Sequence, residues 1–285
     1  MSLRHYLRIN INVRFRQHIK AKREKGASVL GVVFSFVPYF AKRIIRSTIH
    51  RNRNLINGRG LYDLPVLVSY PRSGTNWVRF IIESLSGKAT PGRVRLHKGK
   101  DYAVDRAHSA AKNGHKYKKM ILVLRDYREC LIRHNIELWK EYANVERFLK
   151  ETLITSKPYW YIENIKAFDK FKGEKLLLYY EDLVNSPETS ILNLASILEV
   201  DQGRAIAFVA DIATKSKASV ASYHSSHMSL TAGDTSKTTF HADQNLSEQN
   251  KKAFDDFYQF YFPELFDTYL IRYDTRPPIK NETTS

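Results

Sequence analysis

The chain has 285 residues, of which 43% are hydrophobic, and this is enough for one large α/β domain or two small ones. A single cysteine, Cys130, excludes an intramolecular disulfide framework and suits a reducing compartment. The formal charge of +17 would indicate a nucleic-acid-binding protein, but residues 1–60 hold fourteen Lys and Arg residues and one acid. Because the remaining residues are nearly neutral, no nucleic-acid partner is expected for the body of the protein.

The first predicted element is a basic amphipathic helix, in which five apolar residues recur every four positions from Leu3 to Ile19. The apolar stretch at 29–41 contains Pro38 and is too short to span a bilayer. Cleavage as a secretory signal is less favoured, because no small-x-small site follows. We therefore expect residues 1–60 to form a basic helical arm. Residues 1–50 either pack as ordinary helices or attach a cytoplasmic protein peripherally to an acidic membrane.

From residue 61 short apolar runs alternate with segments of helical period, which predicts an α/β domain at 61–273 with helices on both faces of a parallel sheet. The predicted strands are Val66–Ser69, Lys119–Leu124 and Lys175–Tyr180. The predicted helices are Asn76–Ser86, Tyr127–Trp139, Leu153–Phe171, Ser186–Leu198 and Phe254–Leu270. We expect the polar segment 218–249 to form a long functional loop and residues 274–285 to form a flexible tail.

The stretch SYPRSGTNW, at 69–77, joins the first predicted strand to the first predicted helix. A tight turn before a helix directs backbone N–H groups at one point, which forms an anion site. Gly74 permits close approach of a ligand, and Ser73 and Thr75 offer hydroxyl groups. Arg72 offers a planar charged fork for phosphate or sulfate oxygens. The alternative is an ordinary strand–helix turn with a capping hydroxyl.

Three sequence elements, the last of them made of two stretches, resemble in order those of the PAPS-dependent sulfotransferases, PAPS being 3′-phosphoadenosine-5′-phosphosulfate. YPRSGTNW at 70–77 is similar to that family's Y-P-K-S-G-T-T-W loop. LVLRDYRE at 122–129 is similar to its motif of an apolar strand followed by R-[ND]-P-[KR]-[DE]. YWYIENI at 159–165 and LLLYYEDL at 176–183 are similar to its aromatic helix and following strand. The resemblance implies a P-loop-type three-layer α/β fold and transfer of the sulfuryl group of PAPS to a hydroxyl acceptor, without a required metal.

The resemblance also implies roles around the transferred group. Arg72 stands where the family usually has a lysine that contacts the bridging oxygen. A permanently charged guanidinium favours electrostatic stabilisation over proton donation. A histidine, with an ordinary pKa of about 6.5, suits proton abstraction from the acceptor. His108, with Arg106 in the place of the family's lysine, is the first candidate for this base, and His97 is the second.

The residues that the resemblance implies for nucleotide binding are Arg72, Ser73, Gly74, Thr75, Asn76, Trp77, Arg125, Arg133, Tyr180 and Lys237. Trp77 and Tyr180 match positions that contact the adenine, although plain core packing is the alternative for each. Arg125 matches the residue that holds the 3′-phosphate. Arg133 replaces the usual serine, which leaves the geometry of that site open, and a solvent-exposed helix residue is the alternative. Lys237 would belong to a late phosphate-binding loop.

The acceptor is not assigned by any motif, so a phenol, a sugar, a lipid or a small alcohol all stay open. One alternative function is an NTP-dependent phosphotransferase, but the Gly-Lys-Ser/Thr end of its phosphate loop is missing and Arg125 precedes Asp126 after the strand. Another is a non-enzymatic basic adaptor for membrane or nucleic acid, which would rely on the arm. His224, His227 and His241 have a spacing that permits a metal, which the expected chemistry does not need.

Overall fold

The computed structural model describes residues 62–92, 96–97, 101–110, 114–142, 144–154, 157–219 and 240–275. The predicted basic arm, Lys237, His224 and His227 lie outside the described residues, as does the predicted tail at 274–285 except for residues 274 and 275. Within the described part of the chain, no helix is both long enough and apolar enough to cross a membrane.

The described residues are built on a four-stranded parallel sheet with the strand order β2-β1-β3-β4. The strands are β1 (Val66–Ser69), β2 (Asp105–Ala107), β3 (Lys119–Leu124) and β4 (Glu174–Tyr179). Leu67 of β1 pairs with Arg106 of β2, and Ser69 pairs with Val123 of β3. Because all the strands are parallel, their carboxyl ends lie at one edge of the sheet.

Helices make most of the connections. α1 (Thr75–Ser86) follows β1, and a 3₁₀ turn (Gly114–Lys116) precedes β3. Between β3 and β4 lie α2 (Tyr127–His134), α3 (Ile136–Tyr142), α4 (Val145–Ile154) and α5 (Lys157–Asp169). After β4 come α6 (Tyr180–Asn185), α7 (Pro187–Ile197), α8 (Gln202–Ala210) and α9 (Ile212–Ser219). The described chain ends with α10 (Ala242–Asn245), α11 (Glu248–Tyr261), α12 (Pro263–Leu265), a π-helical turn (Phe266–Leu270) and a 3₁₀ turn (Ile271–Tyr273).

Alternate side chains of the strands enter two hydrophobic cores on opposite faces of the sheet. Leu67 and Ile121 pack on the face covered by α1, α7 and α8. Val68 and Leu122 pack on the face covered by α2, α4, α5 and α11. All four side chains are buried, as expected where helices cover both faces of a parallel sheet. The predicted α/β architecture, a central parallel sheet between two helical layers, is confirmed.

The connections of the sheet diverge between β1 and β3. From β1 the chain passes through α1 to β2 on one side, and from β3 it passes through α2–α5 to β4 on the other. α1 and α2 cover opposite faces of the sheet. Such a divergence opens a crevice at the carboxyl ends of the strands, where open α/β sheets bind their ligands. The loop at 70–74 and Arg125 flank this crevice.

Most predicted elements are confirmed, but several bounds differ and two predicted helices are interrupted. The strands at 66–69 and 119–124 have the predicted bounds. The helix predicted at 127–139 is interrupted at Asn135, whose φ and ψ angles of −122° and 39° are not helical, and the one predicted at 153–171 begins at Lys157. The helix predicted at 254–270 begins earlier, at Glu248, and ends at Tyr261, because Phe262 leaves the helical region; α12 and the π-helical turn follow. The third predicted strand ends before Tyr180, which starts α6. The predicted loop at 218–249 contains α10, so the end of this segment is folded.

A buried ionic network attaches the last described residues to the loop after β3. Arg128, which is 2% exposed, pairs with Asp126 at 2.9 Å and with Asp255 at 3.4 Å. Asp255 also accepts from the Tyr127 hydroxyl and from Thr275, whose N and Oγ1 lie 3.1 and 2.9 Å from Oδ2. Burial raises the pKa of Asp255 although Arg128 lies beside it. The cost of desolvating this carboxylate therefore exceeds the stabilisation of its charged form by Arg128 and by the hydrogen bonds from Tyr127 and Thr275.

Asp255→Ala should lower the free energy of unfolding by about 2–4 kcal/mol, because it removes the acceptor for Tyr127 and Thr275 and one of the two carboxylates beside Arg128. Asp256→Ala is the matched control, since Asp256 forms a surface ion pair with Lys252 at 2.7 Å. Such a pair is worth less than about 1 kcal/mol. Urea denaturation measures both variants, and equal losses would contradict the structural role of Asp255.

Candidate functional site

The loop after β1 has the backbone of an anion-binding turn. Ser73 N donates to Tyr70 O at 3.2 Å, and Arg72 and Gly74 have positive φ angles of 76° and 81°. The left-handed region costs an arginine about 1 kcal/mol, so the fold holds Arg72 in a strained conformation. Gly74 is the N-cap of α1 and has no side chain with which to cap it. The first N–H groups of α1 are therefore oriented to bind an anion.

The two hydroxyl groups of this loop form hydrogen bonds within the protein. Thr75 Oγ1 lies 2.7 Å from Ser69 Oγ at the end of β1. Ser73 is fully buried, and its Oγ lies 3.4 Å from Cys130 Sγ of α2. Burial raises the pKa of Cys130 to about 12, so its sulfur is a thiol. These contacts fix the loop between β1 and α2.

Arg125 and Tyr180 form a stack beside the loop. The guanidinium carbon of Arg125 lies 4.3 Å from the centre of the Tyr180 ring. Arg125 Nη1 donates to Arg72 O at 3.4 Å, which attaches the stack to the loop. The same ring lies against Gly74, where an added Cβ would be 2.1 Å from Tyr180 Cδ2. Only glycine at this position leaves Tyr180 in place.

Arg125 and Arg133 converge on one carboxylate. Glu129 Oε1 accepts from Arg125 Nη2 and, at 2.6 Å, from Arg133 Nη1. The three side chains are 10–13% exposed, and His241 Nδ1 lies 3.8 Å from the same oxygen. Spacings of four residues place the groups on one helical face. Glu129, which sequence analysis missed, therefore orients the two arginines that we expected at the 3′-phosphate.

His108 follows β2 and lies beside the end of β1. Its Nδ1 is 3.0 Å from Ser69 O, and its Nε2 is 2.6 Å from Arg106 Nη2. A carbonyl oxygen can only accept a hydrogen bond, so Nδ1 carries the proton. Nε2 then has a free lone pair, which accepts a hydrogen bond from Arg106 Nη2. Although part of the residue is exposed, desolvation lowers the pKa of His108 and Arg106 lowers it further, against an opposing contribution from the Ser69 bond. The imidazole is therefore neutral near pH 7.

Asn164 of α5 holds the segment that carries His108. Its Nδ2 donates to His108 O at 3.0 Å, and its Oδ1 accepts from Ala110 N at 2.8 Å. Asn164 is 1% exposed, so this pair of hydrogen bonds is shielded from water. Sequence analysis missed Asn164, because one amide inside an amphipathic helix carries no local signal of a tertiary contact.

His97, the second candidate base, lies along α1 rather than at the loop. Its Nε2 is 3.2 Å from Glu83 O, and its backbone N is 3.4 Å from Glu83 Oε2. Glu83 is two helical turns beyond Thr75, which corresponds to about 12 Å along the helix axis. The structure therefore brings His108, and not His97, to the end of β1.

Asn76 and Trp77 make contacts within the protein. Asn76 Oδ1 accepts from Arg79 Nη1 at 3.3 Å. The Trp77 ring stacks on Phe80 with centroids 5.7 Å apart and lies 6.3 Å from that of Phe208. Trp77 thus packs against the core on the α1 face. The residues brought together at the carboxyl edge of the sheet are Arg72, Ser73, Gly74, Thr75, His108, Arg125, Arg133 and Tyr180.

Among the residues that the structure describes, no group of three or more His, Cys, Asp or Glu side chains is arranged to hold a metal ion. His241 lies next to Glu129, and His224 and His227 fall outside the described residues.

No family model and no curated protein matches this chain. Among solved structures, the chain is similar to the crystal structure of mouse sulfotransferase SULT7A1 complexed with PAP, at 14% sequence identity and a TM-score of 0.46. The match covers 73% of this chain and 85% of that chain. The chemistry of the site therefore has to follow from this chain's own residues.

Because desolvation and the charge of Arg106 disfavour the imidazolium, we expect His108 to have a pKa below the ordinary value of 6.5. Arg106→Gln should raise the pKa of His108, because removal of the neighbouring positive charge stabilises the imidazolium. NMR titration of the histidine side chains measures both values, with the His108 signal assigned by its loss in His108→Asn. Lys118→Gln is the control, since Lys118 is 77% exposed and pairs with Asp63. A His108 signal that titrates above 6.5 in the unmodified protein would contradict this electrostatic picture.

Proposed function

We propose that this protein is an enzyme that transfers the sulfuryl group of PAPS to a hydroxyl acceptor. The observation that carries the proposal is the meeting of three groups at the carboxyl edge of the sheet: an anion-binding loop after β1, Arg125 after β3 and a neutral His108 after β2. Sulfuryl transfer needs an anion site for the donor, a cation beside the leaving oxygen and a base beside the acceptor. Adjacent strands supply all three.

His108 is the proposed base. Its Nε2 carries the lone pair, and its lowered pKa keeps the imidazole neutral near pH 7. It takes the proton of the acceptor hydroxyl while that oxygen forms a bond to sulfur and the bond between sulfur and the phosphate oxygen breaks. His97 is less suitable, because its Nε2 contacts the backbone of α1 at Glu83.

Arg72 is the proposed cation beside the leaving phosphate oxygen. Its positive φ of 76° sets the direction in which the side chain leaves the loop. Backbone strain of this kind persists where the surrounding fold over-determines a conformation, and it is often found at functional sites. Because an arginine keeps its proton at neutral pH, Arg72 stabilises the developing negative charge rather than protonating it.

The remaining residues fit a nucleotide with two separate phosphate positions. The first N–H groups of α1 suit the 5′-phosphate, and Arg125 with Arg133 suit the 3′-phosphate. Glu129 offsets one of these two positive charges and keeps the guanidinium groups oriented. The Tyr180 ring packs against Gly74, in the space that a larger side chain would fill, and its position beside the loop suits contact with an adenine. PAPS would bring the activated sulfuryl group to this edge of the sheet.

The alternative NTP-dependent phosphotransferase is less well supported. Its magnesium ligand would follow β3, where the acid is Asp126. Asp126 Oδ1 accepts from Arg128 N at 2.8 Å, and Oδ2 pairs with Arg128 Nη2 at 2.9 Å. Because this carboxylate caps α2 and holds a buried guanidinium, it is committed to the fold rather than to a metal.

Gly74→Ala should weaken the binding of adenosine 3′,5′-bisphosphate by at least about tenfold, because overpacking of this size costs more than 1 kcal/mol and displaces Tyr180. Gly87→Ala is the matched control. Gly87 has a φ of 68° and nothing within 4 Å of an added Cβ, so the substitution strains the backbone without a clash. Calorimetry measures both affinities. An unchanged affinity in Gly74→Ala would place the nucleotide elsewhere.

His108→Asn should lower turnover by about 10²–10⁴-fold, the usual contribution of a general base. Arg72→Ala should lower turnover by about 10²–10³-fold, the usual contribution of a positioned charge. Both variants should weaken binding of adenosine 3′,5′-bisphosphate much less than turnover. His97→Asn should keep its turnover. The measurement is transfer from radiolabelled PAPS to a panel of phenols, sugars, lipids and small alcohols, with calorimetry for binding.

The same panel tests the proposed function as a whole. No labelled product from any acceptor, despite tight nucleotide binding, would contradict sulfuryl transfer. Magnesium-dependent ATP turnover would favour the phosphotransferase. Loss of turnover in His97→Asn, with turnover retained in His108→Asn, would transfer the role of the base to His97.

A further inference from the structure

Arg106 carries a positive charge that no carboxylate of the described residues neutralises. Its Nε is buried and has no hydrogen-bond partner. Its Nη1 makes a 3.4 Å contact with Pro91 O, and its Nη2 lies 2.6 Å from His108 Nε2. Desolvation, with a contribution from the positive charge of Arg79, lowers the pKa of Arg106 to about 10. Because the buried Nε lacks an acceptor and the half-buried charge lacks an ionic partner among the described residues, Arg106 is suited to bind an anion.

Arg106 also opposes the reaction that we propose for His108. Its Nη2 donates to the lone pair that must take the proton, and its charge disfavours the imidazolium that would form. A negative group bound to Arg106 removes both obstacles, because it neutralises the charge and competes for Nη2. The base therefore becomes effective once an anion has bound to Arg106.

The position of Arg106 separates it from the arginines expected at the 3′-phosphate. Arg106 lies on the edge strand β2, where it pairs with Leu67. Arg125 and Arg133 follow β3, so β1 lies between the two basic groups. Arg79, the other guanidinium near Arg106, already pairs with Glu83 and donates to Thr90 Oγ1 at 2.8 Å. Among the residues that the structure describes, Arg106 is therefore the guanidinium without an ionic partner on the β2 side of the crevice, and His108 lies beside it.

We propose that Arg106 binds the acceptor, and that this acceptor carries a carboxylate or phosphate close to the hydroxyl that receives the sulfuryl group. The inference rests on the proposed sulfuryl transfer and names the substrate class. The acceptor hydroxyl must approach Nε2 to about 3 Å. Because Nη2 lies 2.6 Å from Nε2, the anion and the hydroxyl belong to neighbouring parts of one small molecule. A guanidinium binds carboxylate and phosphate in the same bidentate manner.

The experiment compares acceptors that differ in one anionic group: salicylate with methyl salicylate, and glycerol phosphate with glycerol. The unmodified protein should prefer the anionic member in kcat/KM by about ten- to one-hundredfold, as expected for a charge-assisted hydrogen bond. Arg106→Gln should reduce that preference to near one. Lys118→Gln, which removes an exposed charge, should keep it. Arg106→Met, of similar volume, replaces Arg106→Gln if circular dichroism shows that the latter fails to fold.

A second measurement does not depend on turnover. Salicylate added without PAPS should raise the pKa of His108 by NMR titration, and this effect should be lost in Arg106→Gln. Equal use of charged and neutral acceptors by the unmodified protein would overturn the inference. So would an equal loss for both members of each pair in Arg106→Gln, which would assign Arg106 to the sulfuryl group or to the base alone. If no acceptor is labelled, sulfuryl transfer fails, and the response of His108 to salicylate alone decides whether Arg106 is an anion site.

Discussion

The end of β1 fixes the anion loop and the candidate base relative to each other, and it does so through Ser69. Its Oγ lies 2.7 Å from Thr75 Oγ1 at the start of α1, and its carbonyl oxygen lies 3.0 Å from His108 Nδ1 after β2. The second contact also determines the tautomer, since a carbonyl oxygen leaves Nε2 without a proton. Buried polar groups need partners in any stable fold. The hydrogen bonds that satisfy the polar groups of Ser69 therefore position the anion loop and also fix the tautomer of His108.

The arginines near this edge differ in what neutralises them. Arg128 has Asp126 and Asp255, and Arg125 shares Glu129 with Arg133. Buried ion pairs of this kind add little net stability, because desolvation offsets most of the attraction. They do hold planar guanidinium groups in defined orientations, which is what recognition of a phosphate requires. Arg106, whose partners in the described chain are neutral, is the exception, and under the proposal above an anionic acceptor would complete its orientation.

Sequence alone predicted the α/β class, β1, β3 and the loop between β1 and α1, because buried parallel strands form continuous apolar runs and the turn carries Gly74. β2 has no such signal: Asp105–Ala107 has three residues, two of them charged, and it was not among the predicted strands. Side-chain directions were not predictable either. The inward hydroxyl of Ser73 depends on Cys130, which is distant in sequence but adjacent across the fold. Glu129 could have been found from its four-residue spacing to Arg125 and Arg133.

A base beside a cation involves a compromise between its protonation state and its strength. The lowered pKa of His108 keeps Nε2 unprotonated near pH 7, but it also makes the imidazole a weaker proton acceptor. An anion on Arg106 would restore basicity only while an acceptor is bound. Until then Arg106 occupies the lone pair, so water gains no activated base beside the donor. Under the proposed function, the contact of 2.6 Å between Arg106 and Nε2 would limit hydrolysis of the activated sulfuryl group until an acceptor binds.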